Sequence, residues 1–243
     1  MNVCARCVRP DIESERRGHV GIWWFPTDFS QSRLGDRNTG SNACTLIALL
    51  VALKCYEQDI KIWGHDEQPL NDQLISALGD SILEGNVLHE QLLRKGALRH
   101  VNMSVPEAIE AAGNQMRFIC EWKSLVYLMD LGDSLYEQLH ESVLEWYRNP
   151  PPRRGSDLYV ILIAENRSVL LVFQKELDKV TLIDSHQHMN HGAVIAQVPT
   201  VKLQNLCLWY HHLLQTCYGA RPECYELSYL YFKRYEAGEM ASG

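Results

Sequence analysis

Two short stretches carry residues with the chemistry of nucleophilic catalysis. The first is Gly40-Ser41-Asn42-Ala43-Cys44-Thr45, a loop of turn formers that runs directly into the apolar segment Leu46–Leu53. The composition change predicts a helix that begins at the cysteine and runs to about Tyr56 or Glu57. Ser41 or Asn42 is the expected cap, since a short polar side chain accepts a hydrogen bond from a free helix N–H. The N-terminus of a helix carries partial positive charge, and a thiol placed there is biased toward thiolate, the attacking form. A buried cysteine that merely begins a core helix is the competing reading. The second stretch is Asp184-Ser185-His186-Gln187-His188, followed by His191. It ends the apolar run Val180–Ile183, so it sits at the end of a strand. Residues i and i+2 of a strand share a face, which puts Asp184 and His186 together and Ser185 opposite. A carboxylate beside an imidazole fixes its tautomer and stabilises its charged form. Cys44, His186 and Asp184 are therefore the parts of a thiol hydrolase. Solvated histidines at a polar strand end, or a metal held by His186, His188 and His191, are the alternatives.

The elements needed to position these residues can be read around them. Gly21-Ile22-Trp23-Trp24-Phe25-Pro26 reads as a strand or packed entry segment halted by its proline, and the turn-rich stretch from Asp28 to Gly40 leads on to Cys44. Pro69 to about Lys95 reads as helical, from Leu74, Ile75, Leu78 and Ile82, with Gly85 as a break. Ser104-Val105-Pro106-Glu107 is a capping box, and Ser134-Leu135-Tyr136-Glu137 reads as another that opens a helix to about Arg148. Phe118–Trp122 reads as a strand. After the run Asn149–Gly155, which stops a helix, the period changes. Leu158–Ile163, Val169–Phe173, Val180–Asp184 and Gly192–Val198 predict an antiparallel meander. Leu203–Cys217 returns to helical spacing, and Cys224–Phe232 reads as a last strand. A helical first half and a sheet-forming second half predict one α+β domain.

Composition narrows the function classes. The 243 residues suit one large domain or two small ones. A formal charge of −7 argues against a nucleic-acid surface, which needs clustered Lys and Arg. No apolar run approaches the ~20 residues of a membrane span. The eight cysteines are scattered rather than framed as disulfides, which predicts an intracellular protein with reduced thiols in the cytoplasm or nucleus. Only Cys4 and Cys7 are closely paired. They form half of a zinc site, with His19 as a third ligand, and read as the end of a preceding zinc module or as part of a loose terminus. The expected division is a polar tail over 1–20, a catalytic domain over 21–235 and a C-terminal tail over 236–243.

Gln31, then Asn42-Ala43-Cys44 opening a helix, then Leu182-Ile183-Asp184-Ser185-His186 ending a strand, resemble the deubiquitinating cysteine protease domain at the N-terminus of herpesvirus large tegument proteins. The resemblance covers about Trp23 to Phe232. It implies a papain-like fold, a helical lobe packed on an antiparallel sheet, with Cys44 as nucleophile, His186 as base, Asp184 as orienter and Gln31 as oxyanion donor, and no cofactor. It also implies ubiquitin or a ubiquitin-like protein as the partner, entering by its extended C-terminal tail. A non-catalytic binding module on the same fold and a thiol acyltransferase are the alternative functions.

Overall fold

The computed structural model describes residues 9–35, 37–63, 69–98, 100–152 and 154–233. Its centre is an antiparallel sheet of eight strands. In chain order these are β1 (Glu13–Arg17), β2 (Val20–Trp24), β3 (Ile119–Tyr127), β4 (Leu158–Ala164), β5 (Arg167–Gln174), β6 (Lys179–Asp184), β7 (Val194–Pro199) and β8 (Tyr225–Phe232). Across the sheet they run β1-β2-β7-β6-β5-β4-β8-β3. The meander expected from the four apolar runs is β4 to β7. Its first turn uses Glu165 and Asn166, both at positive φ (50° and 58°), the mirror-image turn whose twist suits a two-residue hairpin. It sets Ala164 opposite Arg167 and Leu162 opposite Val169.

Alternate side chains of the strands enter two separate cores. Tyr159, Ile161, Leu170, Val172, Ile183 and Ile195 face one, and Val160, Leu162, Leu171, Leu182, Val194 and Ala196 face the other. The first core is closed by α1 (Cys44–Glu57), α2 (Asp72–Arg94) and α3 (Val105–Ala112). The second is closed by α4 (Leu131–Arg148) and α5 (Leu203–Tyr218). Helices thus cover both faces, where the sequence reading put a helical lobe on the sheet. Double coverage is why the strands read as unbroken apolar runs rather than as alternating ones.

Helix α1 begins at Cys44 and is buried almost all round, from Cys44 through Leu53, as a helix sandwiched between a sheet and other helices must be. Its cap differs from the expectation. Ala43 is the N-cap and supplies no side-chain bond, while the Ser41 hydroxyl accepts instead from the Ala43 N–H at 3.2 Å. Helix α2 runs unbroken through Gly85. That glycine is a contact point: a Cβ there would lie 2.6 Å from Ile47 Cγ1 and 3.3 Å from the Ile47 nitrogen of α1. The capping box of α3 forms as read, with Ser104 and Glu107. Helix α4 starts earlier than read, because the Asp130 carboxylate accepts from the Asp133 N–H and caps it. Ser134 lies inside the helix, its hydroxyl 2.6 Å from the Asp130 carbonyl and 2.8 Å from the Tyr225 hydroxyl.

The charged segment Glu13–Arg17, read as part of a terminal tail, is the edge strand β1 paired with β2. Its exposed charges hid it from a hydrophobic pattern, and charge is how sheet edges are kept from pairing further. His19 is exposed in the turn between them. Cys4 and Cys7, and the C-terminal tail over 236–243, lie outside the described residues.

Candidate active site

The site forms where three segments meet at the start of α1. Cys44 is the first helical residue and is 4% exposed. At that position its backbone N–H has no acceptor within the helix. Strand β6 ends at Asp184, which is wholly buried, and the chain then turns at His186. Asp184 Oδ1 accepts from the His186 backbone N–H at 2.9 Å and lies 2.6 Å from His186 Nδ1. The His186 ring lies close enough to the Cys44 thiol for each to shift the other's titration, while the sulfur itself contacts the Asn166 carbonyl at 3.9 Å. Ser185 projects the opposite way, as the strand alternation requires, and meets Gln31.

These contacts set the electrostatics. Burial pushes the Cys44 thiol up. The hydrogen bond and charge of His186 outweigh it, helped by the backbone and side chain of Ser168, and bring the thiol from 9.0 down to about 7. Burial pushes His186 down, but the Asp184 carboxylate and the Cys44 sulfur lift it from 6.5 to about 10. Asp184 is held well below the usual carboxylate range despite its burial, because His186 and His188 both face it. At neutral pH His186 is therefore an imidazolium and about half of Cys44 is thiolate, the form in which a cysteine attacks a carbonyl.

Gln31 is held by four hydrogen bonds. Its backbone N–H donates to the Ser185 carbonyl at 2.8 Å, and its own carbonyl accepts from Asn86 Nδ2 at 2.9 Å. The Ser185 hydroxyl donates to its Oε1 at 2.8 Å, and its Nε2 donates to the Ser41 carbonyl at 3.1 Å. Asn86 is in turn fixed by the Ser41 hydroxyl at 2.6 Å. With Oε1 committed to Ser185, the amide orientation is fixed. A primary amide carries two protons, so Nε2 keeps a second N–H beyond the one given to Ser41.

Gly192 locks the Gln31 loop to the histidine loop. Its N–H donates to the Phe25 carbonyl, and the Ala193 N–H donates to the Phe29 carbonyl, each at 2.8 Å. A Cβ on Gly192 would fall 2.1 Å from the Pro26 oxygen and 2.3 Å from the Phe29 oxygen.

Cys44, His186, Asp184 and Gln31, singled out in the sequence, thus lie in one connected network. Several members had no sequence signal. Ser168, at the start of β5, reaches Cys44 only because β5 packs on α1. Its hydroxyl lies 2.9 Å from Thr45 Oγ1, whose own proton goes to the Met103 carbonyl at 2.8 Å. Asn86 comes from the middle of α2. The trio of histidines does not form the metal site weighed above. His186 and His188 both turn toward Asp184, whereas His191 stacks on Trp24 with ring centroids 4.9 Å apart. Among the described residues no three His, Cys, Asp or Glu side chains are grouped to hold a metal ion.

A thiol opening a central helix, facing a histidine delivered by an antiparallel sheet, is the arrangement of the papain-like cysteine proteases, and that is the fold of this chain. Among solved structures it is similar to the ubiquitin-specific protease of a murine cytomegalovirus tegument protein, determined with a ubiquitin-based suicide substrate. The TM-score is 0.52 at 12% identity, over 89% of this chain and 88% of that one. The Pseudomonas avirulence protein AvrPphB matches with a TM-score of 0.42 at 13% identity, over 78% and 91% of the two chains. No family model matches the sequence, and no curated protein matches it.

Proposed function

We propose that this protein is a thiol peptidase that releases ubiquitin or a ubiquitin-like protein from its conjugates. One observation supports the chemistry: His186, whose charge couples to the thiol that opens α1, lies 2.6 Å from a wholly buried carboxylate. The Cys44 thiolate attacks the carbonyl carbon of a peptide or isopeptide bond. The new C–S bond gives a tetrahedral oxyanion, received by the Cys44 N–H and the spare Nε2–H of Gln31. The His186 imidazolium gives its proton to the leaving amine as the C–N bond breaks. Neutral His186 then takes a proton from water, which attacks the thioester. The C–S bond breaks, the product leaves as a carboxylic acid that gives its proton to solvent, and the proton left on His186 restores the ion pair.

The substrate class rests on the likeness of fold to a viral ubiquitin-specific protease. The near-complete burial of Cys44 favours an extended, slender chain end over a bulky loop, and the net charge of −7 favours a tail that carries arginines. Such conjugates place the enzyme in the cytoplasm or nucleus. The test is a panel of ubiquitin and ubiquitin-like proteins bearing a C-terminal electrophile. One adduct per chain, mapped to Cys44 by mass spectrometry and lost in Cys44→Ala, is expected. A wild-type protein whose Cys44 is alkylated by iodoacetamide but captured by no probe would overturn the substrate class. Adding an amine acceptor separates hydrolysis from acyl transfer: hydrolysis gives the free C-terminal acid.

A further inference from the structure

Asp184 has two buried oxygens, and the contacts described so far use only one. Both bonds from His186 go to Oδ1. Among the described residues Oδ2 has no hydrogen-bond partner of regular geometry, and neither has His188 Nε2. The two atoms face each other at 3.3 Å, with both side chains 0% exposed. A buried charged oxygen with no donor is costly, and His188 Nε2 is the polar atom that faces it. On its other side, His188 Nδ1 lies 3.0 Å from the hydroxyl of Tyr218, the last residue of α5. That hydroxyl has one proton and a second acceptor in reach, the Gln187 carbonyl at 2.7 Å. Whichever acceptor it serves, a carboxylate oxygen 3.3 Å from Nε2 requires a proton on Nε2.

We infer that His188, backed by Tyr218, is a positioning residue: it donates from Nε2 to Asp184 Oδ2 and clamps the carboxylate between two imidazoles. The inference rests on the role proposed above for Asp184 acting through His186. The clamp is built from rigid parts. His188 and His191 exchange both backbone hydrogen bonds, at 2.9 and 2.8 Å, across a two-residue turn that puts Met189 at φ 48°. Trp24 of β2 meets the His188 ring edge-on at 5.9 Å. The Arg167 guanidinium covers the Tyr218 ring at 3.8 Å. Arg167 follows Asn166, whose carbonyl is the 3.9 Å neighbour of the Cys44 sulfur. The clamp therefore closes a ring of contacts from the carboxylate back to the nucleophile. The sequence stretch Asp184-Ser185-His186-Gln187-His188 supplies both imidazoles at alternate positions, and the second needs α5 behind it to be aimed.

The test compares His188→Phe, which fills the space without a donor, with His188→Gln, whose amide restores one. Iodoacetamide alkylation of Cys44 is followed against pH, because it needs no ubiquitin-family substrate. Steady-state kinetics run alongside on a fluorogenic C-terminal amide of the ubiquitin-family protein that the probe panel selects. For His188→Phe, alkylation at pH 7 should fall severalfold, less than the loss expected on removing the Asp184 charge itself, because the carboxylate remains but is held less firmly. Its midpoint should move up, and kcat should fall with KM nearly unchanged. His188→Gln should recover most of each. Tyr218→Phe should give a smaller loss in the same direction and add little on top of His188→Phe, since the two act through one contact. A folded His188→Phe with the wild-type midpoint and kcat would overturn the inference, as would His188→Gln behaving no better than His188→Phe. If His188→Phe does not fold, Tyr218→Phe decides: a wild-type profile there overturns the clamp. Failure of every ubiquitin-family probe, with the alkylation shifts intact, would count against the proposed substrate alone.

Discussion

Replacing Asp184 by Asn removes one charge and almost no volume, and the structure fixes how far the effect should travel. Cys44 sits at about 7 instead of 9.0 because a positively charged His186 faces it, and His186 is charged because Asp184, 2.6 Å away and without solvent exposure, lifts it to about 10. The thiol's displacement corresponds to about 3 kcal/mol of preference for the thiolate. At pH 7 about half of Cys44 is ionised. With a neutral amide at 184, burial acts on His186 with little to oppose it, and the ring loses its charge near neutral pH. Burial then acts on the thiol against Ser168 alone and moves it back up toward 9.0, where about 1% is thiolate at pH 7. Iodoacetamide alkylation at pH 7 should therefore fall about 50-fold. The sign is specific: in the wild type the rate rises as pH increases through about 7, and in Asp184→Asn the same rise should come near or above pH 9. Circular dichroism and a melting curve establish that the variant is folded. A folded Asp184→Asn protein that keeps the wild-type midpoint would refute the coupling from Asp184 through His186 to Cys44.

Gln31→Ala should leave alkylation of Cys44 nearly unchanged, because Gln31 contributes nothing to holding the thiol near 7, and should lower kcat by the ~10²–10³-fold typical of one lost oxyanion donor; parallel alkylation and turnover assays check it. Gly192→Ala should destabilise the fold, since its Cβ would meet two backbone oxygens that move only if the Gln31 and histidine loops move with them. A cost of about 3 kcal/mol, at the upper end for overpacking, should lower the melting temperature by about 6–12 °C, with loss of the Cys44–probe adduct; a melting temperature within a degree of wild type would contradict the packing described.

The candidate site was legible in the sequence because its parts are local. A cysteine at a loop-to-helix join, and an Asp and a His two apart at a strand end, fix their own backbone setting through composition and strand alternation. The meander was legible for the same reason: short turns separate strongly apolar runs. Features that depend on contact between distant segments were not. Gly85 looked like a helix break, yet it lets α2 approach Ile47 of α1. Ser134 looked like a cap, but Asp130 lay nearer the true start of α4. Glu13–Arg17 looked like tail because an edge strand with charged, exposed side chains has no apolar stripe. Ser168, Asn86 and Tyr218 each hold a member of the site from a different element, and polar residues of these types are common in any chain. What the sequence determined by itself was which groups could react and on what local backbone each would sit. Only the tertiary structure decided that they meet, how the amide of Gln31 is turned, and that His188 faces the carboxylate instead of a metal. Those outcomes depend on contacts of about 3 Å between different elements, Tyr218 to His188 across 30 residues and Gln31 to Ser185 across 154, which no local pattern encodes.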